Sequence, residues 1–487
     1  MIDASQRAQR LSYGELEGLV AEQAALIETL RARIAEQDRA IGELQARLGQ
    51  NSRNSSKPPS ADGYSKPPSK DRSLRRKSGR KPGGQQGHQG HHLERREDPD
   101  LTLVHAAECC EGCGGDLSGS PIVESQSRQV FDLPEVPRLH CVEHWIQRRR
   151  CDCCGHLTSS AFPADAKAPV SYGPRIRAMG IYLVSYQHLP YARAAEILSD
   201  WAGATVSVGS LQAFVAEGAD GLEVFLEEVR CALEGSPVVH FDETGGRIDG
   251  ELSWIHCASS ETLTLYMAHA KRGRDGIDAA GVLPGFGGTA VHDGWAPYRV
   301  YDNARHALCG AHHLRELISA EEAGQSWASA MSALLLDVKD TICHARQEGR
   351  DALDEHALET VVDCYREILA VGYEQNPGLA AEAGSSRRPK RTKAQNLLLR
   401  LDERQAEVLR FAHDFQVPFD NNLCERDLRM VKLQQKISGC WRTREGAERF
   451  LAIRSYISTA RKQGQRPADV LTKLAGGEPW LPMAAGP

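Results

Sequence analysis

Three acids in this chain have the types and surroundings of a metal-binding catalytic set. V-V-H-F-D ends in Asp242 and T-A-V-H-D-G carries Asp293, each closing a short apolar run of strand character. Downstream, P-F-D-N-N-L-C-E-R-D-L-R-M sets Glu425 on a helix that Asp420 or Asn421 can cap, with Leu428 and Arg429 following at i+3 and i+4. Carboxylates brought close together repel, and one takes up a proton unless a cation lies between them. Oxygen donors select a hard divalent ion, Mg²⁺ first with Mn²⁺ as its alternative. Two such ions suit an in-line displacement at phosphorus, activating the entering oxygen and stabilising the leaving one.

The elements around these acids read as a meander of three strands, Val238–Asp242, Ser253–Ala258 and Thr262–Ala268. A helix over Arg274–Ala280, a fourth strand over Thr289–Asp293, a short fifth over Ala307–Cys309 and a helix from near His312 follow. That order is the order of a ribonuclease-H-like fold, whose first and fourth strands are neighbours, so Asp242 and Asp293 meet across the sequence. The expected class is α/β, with the catalytic core in two parts, 236–318 and 416–487. A helical insertion at 319–415 separates them, with helical periodicity over Leu334–Val338 and Leu358–Leu369. Leu428 is expected to face the sheet. His240, His292 and His312 read as packed or hydrogen-bonding residues, and Trp254, Trp295 and Trp441 as core or stacking residues.

Four further segments precede this core. In 1–50, Val20, Ile27, Ile34, Ile41 and Leu48 repeat every seven residues beside a second seam of Leu16, Gln23, Leu30, Gln37 and Leu44, the pattern of a parallel two-stranded coiled coil. The partner is then a second copy of the chain, in a homodimer or larger assembly; an amphipathic helix packed on the body is the alternative. Residues 51–100 lose all periodicity and read as a basic flexible linker. In 101–168, Cys110 and Cys113 form C-x-x-C-G, and Cys151 and Cys154 form a second, the ligand spacing of a zinc ribbon with a closed structural Zn²⁺. Cys109 and Cys153 are adjacent alternates. Alternation over Gln129–Leu133 and His140–Arg150 suits the strands of such a ribbon. Residues 169–235 read as helical: Arg175–Tyr186, Ala192–Ser199 and a helix from Val208 capped by Ser207, a helix-turn-helix-like set that would offer Ser210–Phe214 to a DNA groove.

The net charge of −6 argues against a nucleic-acid partner only until its distribution is considered. Between Lys66 and Lys81 there are eight basic residues against Asp71, and five of the seven from Arg387 to Lys393 are basic. Local basic stripes attract phosphates whatever the distant surface carries. The expected contacts are Arg75, Arg76, Lys77, Arg80, Lys81, Arg387, Arg388, Lys390, Arg391 and Lys393, joined by Arg426 and Arg429 beside Glu425. Six of the 14 cysteines lie in the two clusters, which favours a metal site over a disulfide framework. No apolar run has the roughly 18–20 residues a membrane span needs, and the first residues do not resemble a signal peptide. A cytoplasmic, nucleoid-associated protein is expected.

The motifs N-S-R-N-S-S-K-P-P-S-A-D, the paired C-x-x-C-G, H-F-D-E-T, H-D-G-W-A-P-Y, C-G-A-H-H-L-R-E-L and D-N-N-L-C-E-R-D-L-R occur in order along the chain. Together they resemble the TnpC-type transposases of the insertion sequence 66 family. The resemblance implies a DDE transposase with Asp242, Asp293 and Glu425 on its catalytic motifs, acting on double-stranded DNA at element ends and targets, with companion transposition proteins as further partners. C-G-A-H-H departs from the more usual C-W-A-H-x-R, and C-W-R-T from a more apolar stretch. A non-catalytic, zinc-containing DNA-binding regulator is the competing reading, and a nuclease or junction resolvase of the same fold a second. Neither accounts for all the segments.

Overall fold

A computed structural model describes residues 13–48, 95–131, 139–163, 166, 168–377 and 391–483. By packing, the chain divides into two units, residues 1–65, 141–200 and 204–487 in one and 66–140 with 201–203 in the other. Arg75, Arg76, Lys77, Arg80, Lys81, Arg387, Arg388 and Lys390 lie outside the described residues.

Helix α1, Tyr13–Leu48, runs unbroken through the heptad repeat. Val20, Ile27, Ile34, Ile41 and Leu48 are all exposed along it, an apolar stripe left open to water. Of the alternating stretches expected as ribbon strands, Gln129–Phe131 and 139–147 form none. Strand β1, Arg148–Arg150, pairs antiparallel with β2, Leu157–Ser159, around the second cysteine pair. Residues 139–147 are exposed, so no packed surface rewards their alternation.

Helix α2, Pro174–Ile181, starts on proline and continues into a π-turn over Tyr182–Tyr186. Helices α3, Tyr191–Ala202, α4, Val208–Asp220, and α5, Glu223–Glu234, follow. Ser207 caps α4 as expected, its Oγ accepting the Ser210 N–H at 3.0 Å. Of Ser210–Phe214, the stretch expected at a DNA groove, one side is turned inward. Leu211 and Phe214 are buried, drawn against α2 where Gly180 leaves room for them, and only Gln212 and Ala213 of that stretch are exposed.

The sheet is built from β3, Val238–Ile248, β4, Glu251–Ser259, and β5, Thr264–His269, as an antiparallel meander. After helix α6, Arg274–Ala280, strand β6, Thr289–His292, returns parallel to β3, and β7, Arg305–Leu308, lies parallel to β6. The order is β5-β4-β3-β6-β7, so the first and fourth strands of the sheet are neighbours as expected. Strand β3 continues past Asp242 through T-G-G-R-I, because β4 pairs with it residue for residue out to Ile248. Asp242 therefore sits mid-strand, where the apolar run alone suggested an end.

Helices α7, Gly310–Glu322, α8, Ser326–Gln347, α9, Glu355–Gln375, and α10, Lys393–Glu403, with short turns α11, Gln405–Val408, and α12, Arg410–His413, make up the insertion and its approaches. Trp327, Leu335, Tyr365 and Leu398 share one core with Val291 and Leu308 of β6 and β7, so the insertion is packed onto the sheet. Helices α13, Asn422–Ser438, α14, Arg444–Lys462, and α15, Pro467–Ala475, close the chain. Leu428 and Val431 of α13 are buried against Ile255 and Tyr266, the expected sheet-facing side. The exposed edge of β5 is protected by α14: Thr459 Oγ1 accepts the Thr264 N–H and Ser455 Oγ accepts the Tyr266 N–H, both at 3.0 Å.

Gly310, at the position where the motif departs from its more usual form, has a physical reason to lack a side chain. A Cβ there would lie 2.4 Å from Cζ of Phe419, whose ring fills that space. Gly310→Ala is expected to destabilise the protein by about 1–3 kcal/mol through overpacking. Adding Phe419→Leu should recover most of that loss in a double-mutant cycle followed by denaturant unfolding; additive losses would overturn the packing account.

Candidate active site

The parallel register of β3 on β6 pairs His240 with Val291, and Asp242 and Asp293 each follow two positions later. Glu425 approaches from the first turn of α13. Asp242 is half-buried, and burial first, then the negative fields of Glu243, Asp293 and Glu425, push its carboxyl well above the usual carboxylate range. The N–H of Glu243 donates to Asp242 Oδ1 at 2.9 Å and offsets only part of this. Asp293 Oδ1 accepts the Trp295 N–H at 2.8 Å. Asp242 thus feels the charges of both Asp293 and Glu425 in a partly desolvated place. Arg426 and Arg429, on the same helix as Glu425, are exposed, as are Arg391 and Lys393 before and at the start of α10.

Helix α13 is held in place over its N-terminal turns. Asp420 Oδ1 accepts the Asn422 N–H at 3.1 Å, leaving Asn421 free to turn inward. Asn421 Nδ2 donates to the Phe241 carbonyl at 2.9 Å, and its Oδ1 lies 2.7 Å from His240 Nδ1. Further along, Lys462 Nζ of α14 meets Asp427 Oδ2 at 2.9 Å and also donates to Ser259 Oγ at 2.7 Å and the Leu263 carbonyl at 3.0 Å. A buried ion pair with its remaining hydrogen bonds satisfied fixes geometry more than it stabilises.

His240 is bonded as expected, and His292 lies 2.9 Å from His306 Nδ1 and stacks on Tyr298 at 4.6 Å. His312 differs. Its Nδ1 is 3.9 Å from Glu425 Oε1, and each of these buried atoms lacks a hydrogen-bond partner. With Cys309 they form a group whose ligand atoms all lie within 4.8 Å of one another. Burial pushes the Cys309 thiol up to about 12, and its sulfur accepts the Asn421 N–H at 3.1 Å, the bonding of a structural thiol. The H-H-L-R segment carried no periodic signal for His312 meeting Glu425, because the contact spans 113 positions.

Glu243 was also missed, although the E of H-F-D-E-T marks it. Its buried carboxylate is held by Arg272 at 2.6 Å and by the Tyr298 hydroxyl at 2.5 Å. Arg272 is in turn stacked between Trp295 at 4.0 Å and Trp254 at 4.9 Å, so both tryptophans are stacking residues while Trp441 is core. This bracket stiffens the strand segment that carries Asp242.

Each cysteine knuckle has its own local order. The Gly114 N–H donates to the Cys110 carbonyl and the Gly155 N–H to the Cys151 carbonyl, both at 2.8 Å, with each glycine at positive φ. Backbone N–H groups of Gly112 and Cys113 lower the Cys110 thiol, and those of Cys154 and Cys153 lower the Cys151 thiol, which favours thiolate ligands. Cys153 thus serves as a backbone donor in its turn, and Cys109 bridges to Asp116.

A mixed sheet flanked by helices, with acidic residues beside its central strands, defines an α/β domain. Residues 169–449, more than half of the chain, match the family described as Transposase IS66 family, and the protein belongs to that family. Membership supports a transposase-type function, DNA as partner and use of divalent metal ions. Residues 12–94 match a family of unknown function. An uncharacterized protein, y4jD, of Sinorhizobium fredii (strain NBRC 101917 / NGR234) is 23% identical over 416 residues, covering 78% of this chain and 77% of that protein. No helix among the described residues is long and apolar enough to cross a membrane.

The donor set fits a hard divalent ion: oxygen ligands, one carboxyl driven towards its neutral form by burial and then by its acidic neighbours, and an unpartnered Glu425 oxygen. Folding raises the Asp242 pKa, so its contribution is fully favourable below the unfolded value near 3.8 and is lost as pH rises through the folded value. At neutral pH without metal, Asp242→Asn should therefore raise Tm. Mg²⁺ or Mn²⁺ should raise the wild-type Tm by mass action and move the variant far less. A wild-type Tm indifferent to both ions would overturn the assignment.

Proposed function

We propose that this protein is a DDE transposase with a ribonuclease-H-like core, in which Asp242, Asp293 and Glu425 hold two Mg²⁺ or Mn²⁺ ions. The observation that carries the reading is the field of Asp293, just past β6, and of Glu425 on α13 at the half-buried Asp242 of the neighbouring strand β3. When bound, the ions supply Lewis acidity for in-line phosphoryl transfer. Water first displaces the 3′ oxygen of the phosphodiester at an element end, leaving a 3′-hydroxyl and a 5′-phosphate. That hydroxyl then attacks a phosphodiester of target DNA, forming one P–O bond as another breaks, with no covalent bond to protein.

The chain's own part is to fix oxygens and limit water, which is most of what this chemistry asks of a protein. Asn421 and the Lys462–Asp427 pair set the position of Glu425, and the Arg272 bracket sets β3. Arg426, Arg429, Arg391 and Lys393 are exposed and fit DNA-backbone contacts. We expect Asp242→Asn, Asp293→Asn and Glu425→Gln each to lower strand transfer by at least about 10³-fold, the scale of losing a group that acts on transition-state charge, while duplex binding persists. Undiminished strand transfer by any purified variant rejects that acid.

Two further parts of the reading concern assembly. A structural Zn²⁺ on Cys110, Cys113, Cys151 and Cys154 is supported by the two knuckles taken separately, and a homodimer through α1 by its exposed apolar stripe. Metal analysis and sedimentation of the full chain should give one zinc per chain and a dimer mass. A zinc-free monomer would remove both.

A further inference from the structure

Beside the acids lies a set of cations that the reaction as described leaves unused. Arg315, one turn after His312 on α7, has its Nη2 3.9 Å from Glu425 Oε2, outside hydrogen-bond distance. Arg400, on α10 of the insertion, is paired with Glu316 of α7, yet its Nε is buried without a hydrogen-bond partner. Its charge is felt at His312 and at Asp293, so it borders the same space. Arg299, in the turn that follows Asp293, and Arg404 lie close enough to repel it.

Such crowding needs an explanation. Only about a quarter of each of the Arg315 and Arg400 side chains is exposed, and like charges in a partly dry place are costly unless an anion joins them. Glu316 and Glu407 pair with Arg400 and Arg404 and answer part of that charge. Glu425 stands off Arg315 by a gap, and so does His312 from Glu425. Once Glu425 serves a metal ion, its attraction for Arg315 falls further. His312 Nδ1 and Arg400 Nε are buried without partners, and with the Arg315 guanidinium they offer the sign and the hydrogen-bonding groups that a phosphate takes.

We propose that Arg315 and Arg400, with Arg299 at the rim, form a seat for one backbone phosphate of the DNA strand that reaches the acids, and that Arg400 is the insertion's contribution to substrate binding. The proposal rests on the transposase reading for the identity of the strand. In this account Glu316 orients the Arg400 guanidinium, and the insertion is a working wall of the site.

The test is binding of a short blunt DNA duplex to the full chain by fluorescence anisotropy, in Ca²⁺ buffer over a range of salt. Removing one phosphate contact lowers the slope of log K against log salt by about 0.9. Arg315→Gln and Arg400→Gln should each show that drop and bind about tenfold more weakly at fixed salt, as expected for a single phosphate contact. Arg400→Lys should keep the slope, since it keeps the charge. Arg315 makes no close ion pair, so its variant decides the matter if Arg400→Gln does not fold. Wild-type slopes in folded Arg315→Gln overturn the seat even where strand transfer is intact. A lowered slope in a protein whose wild type transfers no strand upholds the seat and sinks the transposase mechanism instead.

Discussion

Mutual repulsion among carboxylates in a place short of water is the constraint on which this structure turns. Asp242 and Asp293 lie two positions beyond the last parallel pair of β3 and β6, and neither strand can slip without turning its apolar neighbours, Val239 and Ala290 among them, out of the core. Burial first, and the repulsion of Glu243, Asp293 and Glu425 after it, raise the pKa of Asp242. A fold that tolerates such a defect must be over-determined elsewhere. Here the over-determination lies in the bracket of Arg272 between two indoles and in the anchoring of α13.

Helix α13 shows how rigidity is directed at one side chain. Glu425 lies within a turn of Asn421, which is bonded to β3 on either side of the strand's own alternation, at His240 and Phe241. Two residues past Glu425, Asp427 engages the Lys462 ammonium, which also gathers Ser259 and the carbonyls of the β4–β5 turn. Glu425 is thus bracketed by fixed points on both sides while its own Oε1 is left without a bond. An unsatisfied acceptor between two well-satisfied anchors is the mark of a group kept for a ligand.

The legible parts were those whose information is local. Helix α6 and the cap at Ser207 follow from short-range periodicity and a single hydroxyl, and the acids stood out because each closes a compact motif. The extension of β3 was not legible, since T-G-G-R carries no apolar alternation and pairs only because β4 folds back on it. The inward side of α4 was not legible, because Leu211 and Phe214 find Gly180 across a helix contact that no window of sequence contains. The links from His312 to Glu425 and from Gly310 to Phe419 each span more than a hundred positions. Such contacts are properties of topology, and a single sequence reveals them only through a motif that happens to name the residue.

The insertion makes the same point at the scale of a domain. Read along the chain, it interrupts the α/β fold; in space it packs onto the sheet. Its tryptophan, leucines and tyrosine share a core with β6 and β7, so these strands are covered by the very segment that separates Asp293 from Glu425 in sequence. Helix α7 leads into it from the end of β7 and carries His312 and Arg315, while α10 returns with Arg400. A covering layer that also supplies polar groups at the acids couples the burial of the sheet edge to the shape of the site. Loss of packing at Trp327 or Leu398 would then be felt at Glu425 through α7, with no contact to Glu425 itself.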